Sequence, residues 1–326
     1  MKKTTKLREL FNRDKIFIVA GGGCALHALI AEQAGYECAY MSGAHTAATV
    51  FGLPDAGLIT MTEMVENARR MASRVGIPLI SDSDQGFGNA TNVRRTVTEF
   101  IRAGVAGIHI EDQTTPKRCG DVVGKQVISV DEAVGKYRAA VDAKNEIDPD
   151  FVVIARCDAR GAPGGSLGDA IARMKAYKKA GADVIYFERA LSLDELRAAR
   201  AEVAGPLMAT MSGLTQQPRT RDLEELGYAC AFHPGLLSHV SMTASWEYAH
   251  DFKDRLDRAE SEWESRPVRY PMPHILDIVG FPELFEWEQK YLLEAEVDER
   301  YATSVGAYDP RTTTQQAMGS GPGTDR

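Results

Sequence analysis

A chain of 326 residues, 44% apolar and 26% charged, can bury a large core, which excludes bulk disorder and collagen-like or fibrous classes. Its 38 basic and 46 acidic residues leave a net charge of −8, which argues against a nucleic-acid surface built on a basic stripe. No apolar run approaches the roughly 20 residues of a membrane span, and the polar, basic residues 1–13 lack the apolar stretch of a secretory signal, so a soluble, cytoplasmic protein is expected.

From about residue 16 to 260, short apolar runs alternate with helix-length periodic segments. The runs cover 16–20, 38–42, 77–82, 107–111, 151–156, 183–188, 206–211 and 228–232, and each has the composition of a strand buried on both faces. Between the runs, Thr60 and Glu63 form a capping box ahead of Met64, Ala68 and Met71 on one helical face. Val93, Val97, Phe100 and Ile101 mark a second helix that stops at Gly104, and Ile171, Met174 and Tyr177 a third that stops at Gly181. Eight strands alternating with helices predict an α/β fold, a (β/α)8 TIM barrel over residues 1–260. An open doubly wound sheet is the alternative, but no GxGxxG or P-loop follows the first strand. Beyond the eighth run, Leu236, Val240, Tyr248, Phe252 and Leu256 suggest one long amphipathic helix, and a further helix is expected from Pro282 to Glu299. Residues 261–301 are therefore assigned to surplus C-terminal helices whose apolar faces need a partner, and residues 302–326, rich in Thr, Gly and Pro, to a disordered tail.

The five cysteines show no CxxC pair, which speaks against a disulfide framework or a structural zinc site. Cys24, Cys38, Cys157 and Cys230 sit among apolar or small residues and read as core. Cys119 lies in the polar loop Pro116-Lys117-Arg118-Cys119-Gly120, where the two cations are expected to favour a thiolate. Polar residues collect at the carboxyl ends of the predicted strands, the face on which barrel enzymes build their sites: Ser42 and Gly43, Asp82 and Asp84, Glu111 and Asp112, Arg156 and Asp158, and Glu188. Asp82 and Asp84 are two apart, so on an extended strand end both carboxylates point the same way. With no soft donor nearby they suit Mg²⁺, or Mn²⁺, although both could equally cap the following turn. Together with Arg118 and Arg156 the set reads as a metal-plus-guanidinium pocket for a small polycarboxylate. His109, inside an apolar strand, reads as a hydrogen-bonded core residue, and His27 and His250 as structural.

These residues resemble the isocitrate lyase and phosphoenolpyruvate mutase superfamily, and within it the 2-methylisocitrate lyase and 2,3-dimethylmalate lyase branch. The matching pieces, in order, are Tyr40-Met41-Ser42-Gly43, Gly52-Leu53-Pro54-Asp55, Asp82-Ser83-Asp84-Gln85-Gly86-Phe87-Gly88-Asn89, Gly107 through Gln113 and on to Cys119-Gly120, Ala155-Arg156-Cys157-Asp158-Ala159, and Ala180-Gly181-Ala182-Asp183. The resemblance implies a barrel that exchanges C-terminal helices with a neighbouring subunit, within a homotetramer. It implies Mg²⁺ at Asp82 and Asp84, assisted by Asp55, Glu111 and waters. Ser42, Gly43 and Arg156 match positions that hold the 2-oxo-acid part, and Ala44, Asp82, Gly120, Glu188 and Thr210 complete the expected substrate-binding set. Cys119 matches the catalytic acid; Lys117 and Arg118 flank it, with Arg118 able to steady an enediolate, and Tyr40 is the candidate base.

The implied activity is carbon–carbon cleavage of a 2-hydroxy di- or tricarboxylate of the 2-methylisocitrate or 2-alkylmalate type, giving a 2-oxo acid such as pyruvate and a carboxylate. An oxaloacetate hydrolase, a phosphonopyruvate-type mutase or hydrolase, and a metal-binding scaffold without chemistry are the alternatives. The chain departs from the family pattern at Asp121, usually His, at Thr210 and Gly213, usually Asn and Glu, at Phe187, usually Pro, and at His45, usually a small residue. The departures fall on the side of the pocket away from the metal.

Overall fold

The computed structural model describes residues 1–210 and 219–311. Residues 1–249 and the residues from His250 onward form two compact units. In the first unit eight parallel strands close in sequence order into a barrel, each neighbour hydrogen-bonded to the next and β8 back to β1. The strands are β1 Phe17–Gly22, β2 Cys38–Met41, β3 Leu79–Asp82, β4 Gly107–Glu111, β5 Val152–Cys157, β6 Val184–Phe187, β7 Leu207–Thr210 and β8 Cys230–His233. The helices that precede and separate them are α1 Lys3–Asn12, α2 Ala25–Gln33, the short α3 Gly43–Thr46, α4 Met61–Arg74, α5 Ala90–Arg102, α6 Val130–Ile147, α7 Leu167–Lys179, α8 Leu193–Glu202 and α9 Thr220–Leu226. The TIM barrel read from the sequence is the observed fold.

Side chains alternate across each strand, and the register turns that alternation into layers. The inward set begins with Phe17, Val19, Cys38, Ile80, Val152, Ile154, Val184, Met208 and Cys230, which fill the barrel interior together with Leu7, Leu10 and Phe11 of α1. Gly107 belongs to this set, and a Cβ there would come within 3.0 Å of Leu7, so the missing side chain lets α1 seat against the barrel. The outward set of the same strands packs under the helices, for example Met41, Leu79, Ile108, Val153 and Ile185 against Met64, Phe100, Tyr137 and Met174. The expected Thr60–Glu63 capping box starts α4.

The helix after β8, α10 Leu236–Arg255, is the long helix expected there, but it ends before Leu256, which takes φ +51°. It is followed by α11 Asp257–Ser265, α12 Ile275–Val279, α13 Phe281–Tyr291 and α14 Glu294–Ala302. The single helix expected from Pro282 to Glu299 is two: Leu292 and Leu293 adopt extended backbone angles and separate α13 from α14, while Pro282 does sit in the first turn of α13. Cys24 is also corrected. It is half-buried, whereas Cys38, Cys157 and Cys230 are buried as core. Among the described residues no helix is long and apolar enough to cross a membrane.

Candidate active site

The upper members of the inward set are polar, and they meet at the carboxyl ends of the strands. Pairing of β3 with β4 places Asp82 beside His109, and pairing of β4 with β5 places Glu111 beside Arg156. Tyr40, Ser42, Ala44, Asp55, Asp82, Cys119, Gly120, Arg156, Glu188 and Thr210 line one cavity that opens to solvent, with His45, Asp121, Tyr186, Phe232 and Pro234. Gly43 is packed against Asp82, where a Cβ would come within 2.6 Å of its Oδ2 and where its own N–H donates to that oxygen at 3.1 Å. Gly120 is tight for the same reason, since a Cβ would meet Glu188 at 2.6 Å and Arg156 at 2.8 Å.

On the acid side, the β3 carboxyl end turns sharply. The backbone N–H of Asp84 donates to Asp82 Oδ1 at 2.9 Å, and Asp84 holds φ +46°, a left-handed conformation that costs a non-glycine residue energy and tends to occur at functional sites. Lys117, buried, reaches back from the loop after β4 to place Nζ 2.5 Å from Asp55 and 2.9 Å from Asp84. Burial opposes the charge on Lys117, but Asp84, Glu111, Asp82 and Asp55 outweigh it and hold the ammonium well above its ordinary range. Burial likewise opposes the charge on Asp82, yet His109, Lys117 and Arg156 keep that carboxylate below the usual range. Burial pushes Asp84 and Glu111 upward. Arg156 is clamped by Asp158, with Nε and one terminal nitrogen donating at 2.8 and 2.9 Å, and lies 3.4 Å from Glu111.

Among the described residues no three His, Cys, Asp or Glu side chains converge as a ready-made metal cage. The acids nonetheless fit a hydrated divalent ion. Both carboxylate oxygens of the fully buried Glu111 lack a hydrogen-bond partner, an arrangement that is costly unless water or a cation answers it. Glu111, Asp82, Asp84 and Asp55 offer only oxygen to an ion, and Mg²⁺ commonly keeps several waters while using only one or two carboxylates.

Cys119 is half-buried, its backbone N–H held by the Asp55 carbonyl at 3.0 Å. Its thiol is not disposed toward thiolate. Burial pushes it up to about 11; the Asp121 backbone N–H and Lys117 pull it down, while the Asp55 and Asp121 charges add to the rise. The cations that suggested a thiolate are committed elsewhere: Lys117 to the acids, and Arg118 exposed to solvent. Tyr40 donates to Asp82 Oδ2 at 3.3 Å and lies 2.7 Å from His109 Nε2. Burial drives His109 down to about 4, so its imidazole is neutral.

On the opposite side, Glu188 accepts the hydroxyls of Tyr186 and Thr210, the latter at 2.6 Å. Asp121 pairs with Arg189 at 2.7 Å on the surface. Gly213 lies outside the described residues. Sequence reasoning passed over Tyr186, although its two-residue spacing from Glu188 signals the same inward face. The hydrogen-bonded core histidine expected at His109 is observed, with Tyr40 as its partner. Sequence reasoning counted Gln113 among the polar residues after the fourth strand without giving it a role, and it missed Lys125, for which no local pattern gives a signal.

The sequence profile of phosphoenolpyruvate phosphomutase matches residues 7–252. The 2,3-dimethylmalate lyase of Eubacterium barkeri is 40% identical over 246 residues, which are 75% of this chain and 84% of that one. The 2-methylisocitrate lyase of Escherichia coli (strain K12) is 35% identical over 300 residues, 91% of this chain and 96% of that one. A crystal structure of phosphonopyruvate hydrolase in complex with oxalate and Mg²⁺ superimposes with a TM-score of 0.79 at 31% identity, covering 90% of this chain and all of that one.

Proposed function

Because the chain belongs to the phosphoenolpyruvate phosphomutase family, we propose that it is a carbon–carbon lyase cleaving a 2-hydroxy di- or tricarboxylate of the 2-alkylmalate or 2-methylisocitrate type to a 2-oxo acid and a carboxylate. The observation that carries this reading is the protonated Cys119 thiol in one cavity with Asp82 and Arg156. A carbanionic fragment released beside Arg156 would find a proton donor within the same enclosure. The named activities of the two lyase relatives support the reaction type.

In this reading Arg156, Ser42 and the Gly43 and Ala44 turn hold the carboxylate of the part that leaves as the oxo acid. Mg²⁺ (or Mn²⁺) held at Asp82 and Asp84, with Asp55 and Glu111 acting through water, would supply Lewis-acid polarisation of the substrate oxygens. Tyr40, whose hydroxyl lies between Asp82 and His109 Nε2, is the group this reading assigns to the substrate hydroxyl proton. As that proton leaves, the alkoxide electrons form the new carbonyl, and the electrons of the broken carbon–carbon bond pass to the second fragment as an enediolate. The Cys119 S–H protonates its carbon. Lys117 keeps Asp55 and Asp84 in place by pairing with both.

The five free thiols suit a reducing, cytoplasmic setting. Assembly as a homotetramer that exchanges the helices after about residue 265 belongs to the same reading, supported by Leu284, Trp287 and Leu293, exposed at 43%, 57% and 71%. A monomer at micromolar concentration in solution scattering would contradict the assembly. The activity is tested by incubating the protein with Mg²⁺ and a panel of 2-hydroxy di- and tricarboxylates, detecting released pyruvate or glyoxylate. Turnover of oxaloacetate to oxalate and acetate, or of a C–P substrate, with no cleavage of any 2-alkylmalate, would replace the lyase by a hydrolase or a mutase.

A further inference from the structure

The loop that carries Cys119 is closed at its base by backbone pairing. Thr114 N–H donates to the Gln126 carbonyl and Ile128 N–H to the Asp112 carbonyl, each at 2.9 Å. Those bonds fix where the loop leaves and rejoins the barrel, but not where its tip lies. Two buried side chains act at the tip itself, one on either side of the cysteine.

The Gln113 amide takes both backbone groups of Arg118. Its Oε1 accepts the Arg118 N–H at 3.0 Å, and its Nε2 donates to the Arg118 carbonyl at 2.9 Å. The same Nε2 is 3.2 Å from Asp158 Oδ1. On the other side, Lys125 Nζ donates to the Gly120 carbonyl and lies 3.6 Å from the same Asp158 oxygen. A Cβ on Gly161 would come within 3.0 Å of that ammonium, so the glycine leaves it room. Asp158 in turn grips Arg156 through two nitrogens and is itself held by its own N–H on Asp112 Oδ1 at 2.8 Å.

Resting on the reading of Cys119 as proton donor, we propose that Gln113 and Lys125 are positioning residues. They form a two-point bracket, anchored on Asp158, that sets the Cys119 thiol relative to Arg156. Residue 118 is held by one arm and residue 120 by the other, so the cysteine between them has little freedom to swing. The shared anchor makes the oxo-acid grip and the proton donor two ends of one hydrogen-bonded unit. Folding alone gives weak reason for this construction. Lys125 is only 2% exposed, and a buried ammonium is expensive to desolvate, whereas a neutral donor would satisfy one loop carbonyl. A fixed geometry does give a reason, because a misplacement of about 1 Å can cost on the order of 10²-fold in rate.

The test uses full-length Gln113→Leu and Lys125→Met, with the shape-preserving Gln113→Glu, which loses the donor and repels Asp158, as the variant to read if either of the others fails to fold. Cys119 alkylation by iodoacetamide is followed by peptide mapping at neutral pH, beside oxalate binding with Mg²⁺ by calorimetry and a kcat and KM determination. The bracket predicts that Cys119 is alkylated about tenfold faster in each variant and that oxalate binding stays within about twofold. It also predicts that kcat falls by roughly 10- to 100-fold with KM little changed. Alkylation within about twofold of wild type, with only a lowered Tm, would overturn it and leave the two residues a structural role. Because alkylation is read without substrate, faster labelling in a protein that cleaves no 2-hydroxy acid would sustain the bracket while removing the lyase reading.

Discussion

The two sides of the pocket are built on different principles. Toward β3, β4 and β5, charge is dense and interlocked, with acids in excess: Lys117 sits between Asp55 and Asp84, and Arg156 between Asp158 and Glu111. Toward β6, β7 and β8, one carboxylate, Glu188, accepts the hydroxyls of Tyr186 and Thr210, and Phe232 and Pro234 line the same cavity. Interlocked buried charge cannot tolerate a change in one member without stranding the others, so the first side has little latitude. Hydroxyl and apolar contacts can be exchanged one at a time at about 1 kcal/mol each. The departures of this chain, at Thr210, Asp121 and His45, lie on that tolerant side or at the pocket rim. In the proposed reading, the acid side handles what any substrate of this chemistry shares, and the opposite side decides which substrate enters.

The largest expected effects lie on the acid side. Removal of divalent ions by excess chelator is expected to abolish turnover, with recovery on adding Mg²⁺ or Mn²⁺; full activity in the chelator would break the metal assignment at Asp82 and Asp84. Next comes Cys119→Ser, whose kcat should fall by about 10²–10⁴-fold, the usual worth of a positioned general acid, while oxalate and Mg²⁺ bind as in wild type. A serine variant within about threefold of wild type on its best substrate would remove the proton-donor role and shift the reading toward hydrolase or phosphonate chemistry.

The same contrast explains what is legible in the amino-acid sequence. Parallel strands buried on both faces leave an unbroken apolar signature, and the alternation of side chains along each strand then carries the inward polar set, so Asp82, Glu111, Arg156 and Glu188 can be placed from the sequence alone. The break between α13 and α14 cannot, because Leu292 and Leu293 look like ordinary helix residues and only their extended backbone shows the separation. The state of Cys119 is misleading in the sequence because neighbours along the chain are not neighbours in space. Lys117 and Arg118 adjoin the thiol in sequence, but Lys117 turns to Asp55 and Asp84 while burial raises the thiol. Gln113 and Lys125 act through backbone groups five residues away, a contact that requires the loop to close first.

Asp121 offers a smaller effect and a sharper one for specificity. Its carboxylate lines the cavity and pairs with Arg189, itself held at φ +65°. The pair is solvent-exposed, so its loss should cost stability no more than about 1 kcal/mol. Asp121→Asn removes a negative charge from the pocket wall and releases a guanidinium, so KM for a tricarboxylate should fall about five- to tenfold relative to that for a dicarboxylate. An unchanged ratio would place Asp121 outside the substrate's reach.

The smallest effect tests whether the tolerant side touches substrate at all. Thr210 donates to Glu188 Oε2 at 2.6 Å, and Tyr186 donates to the same oxygen. Thr210→Val keeps the volume and removes only the hydroxyl, leaving Glu188 buried with one donor fewer. If Glu188 orients the fragment that is protonated, its loosened carboxylate should raise KM by roughly two- to fivefold while kcat moves less, which corresponds to losing one hydrogen bond of about 1 kcal/mol. If Thr210 and Glu188 merely hold β6 against β7, the same loss should appear in thermal stability, with KM unchanged for every substrate tried. The discriminating comparison is the ratio of KM values between a substrate with a long side arm and one with a short arm. A change confined to the long-arm substrate would put Glu188 against that arm, and an equal change for both would place it at the common carboxylate beside Arg156, where Gly120 already brings Glu188 and Arg156 together.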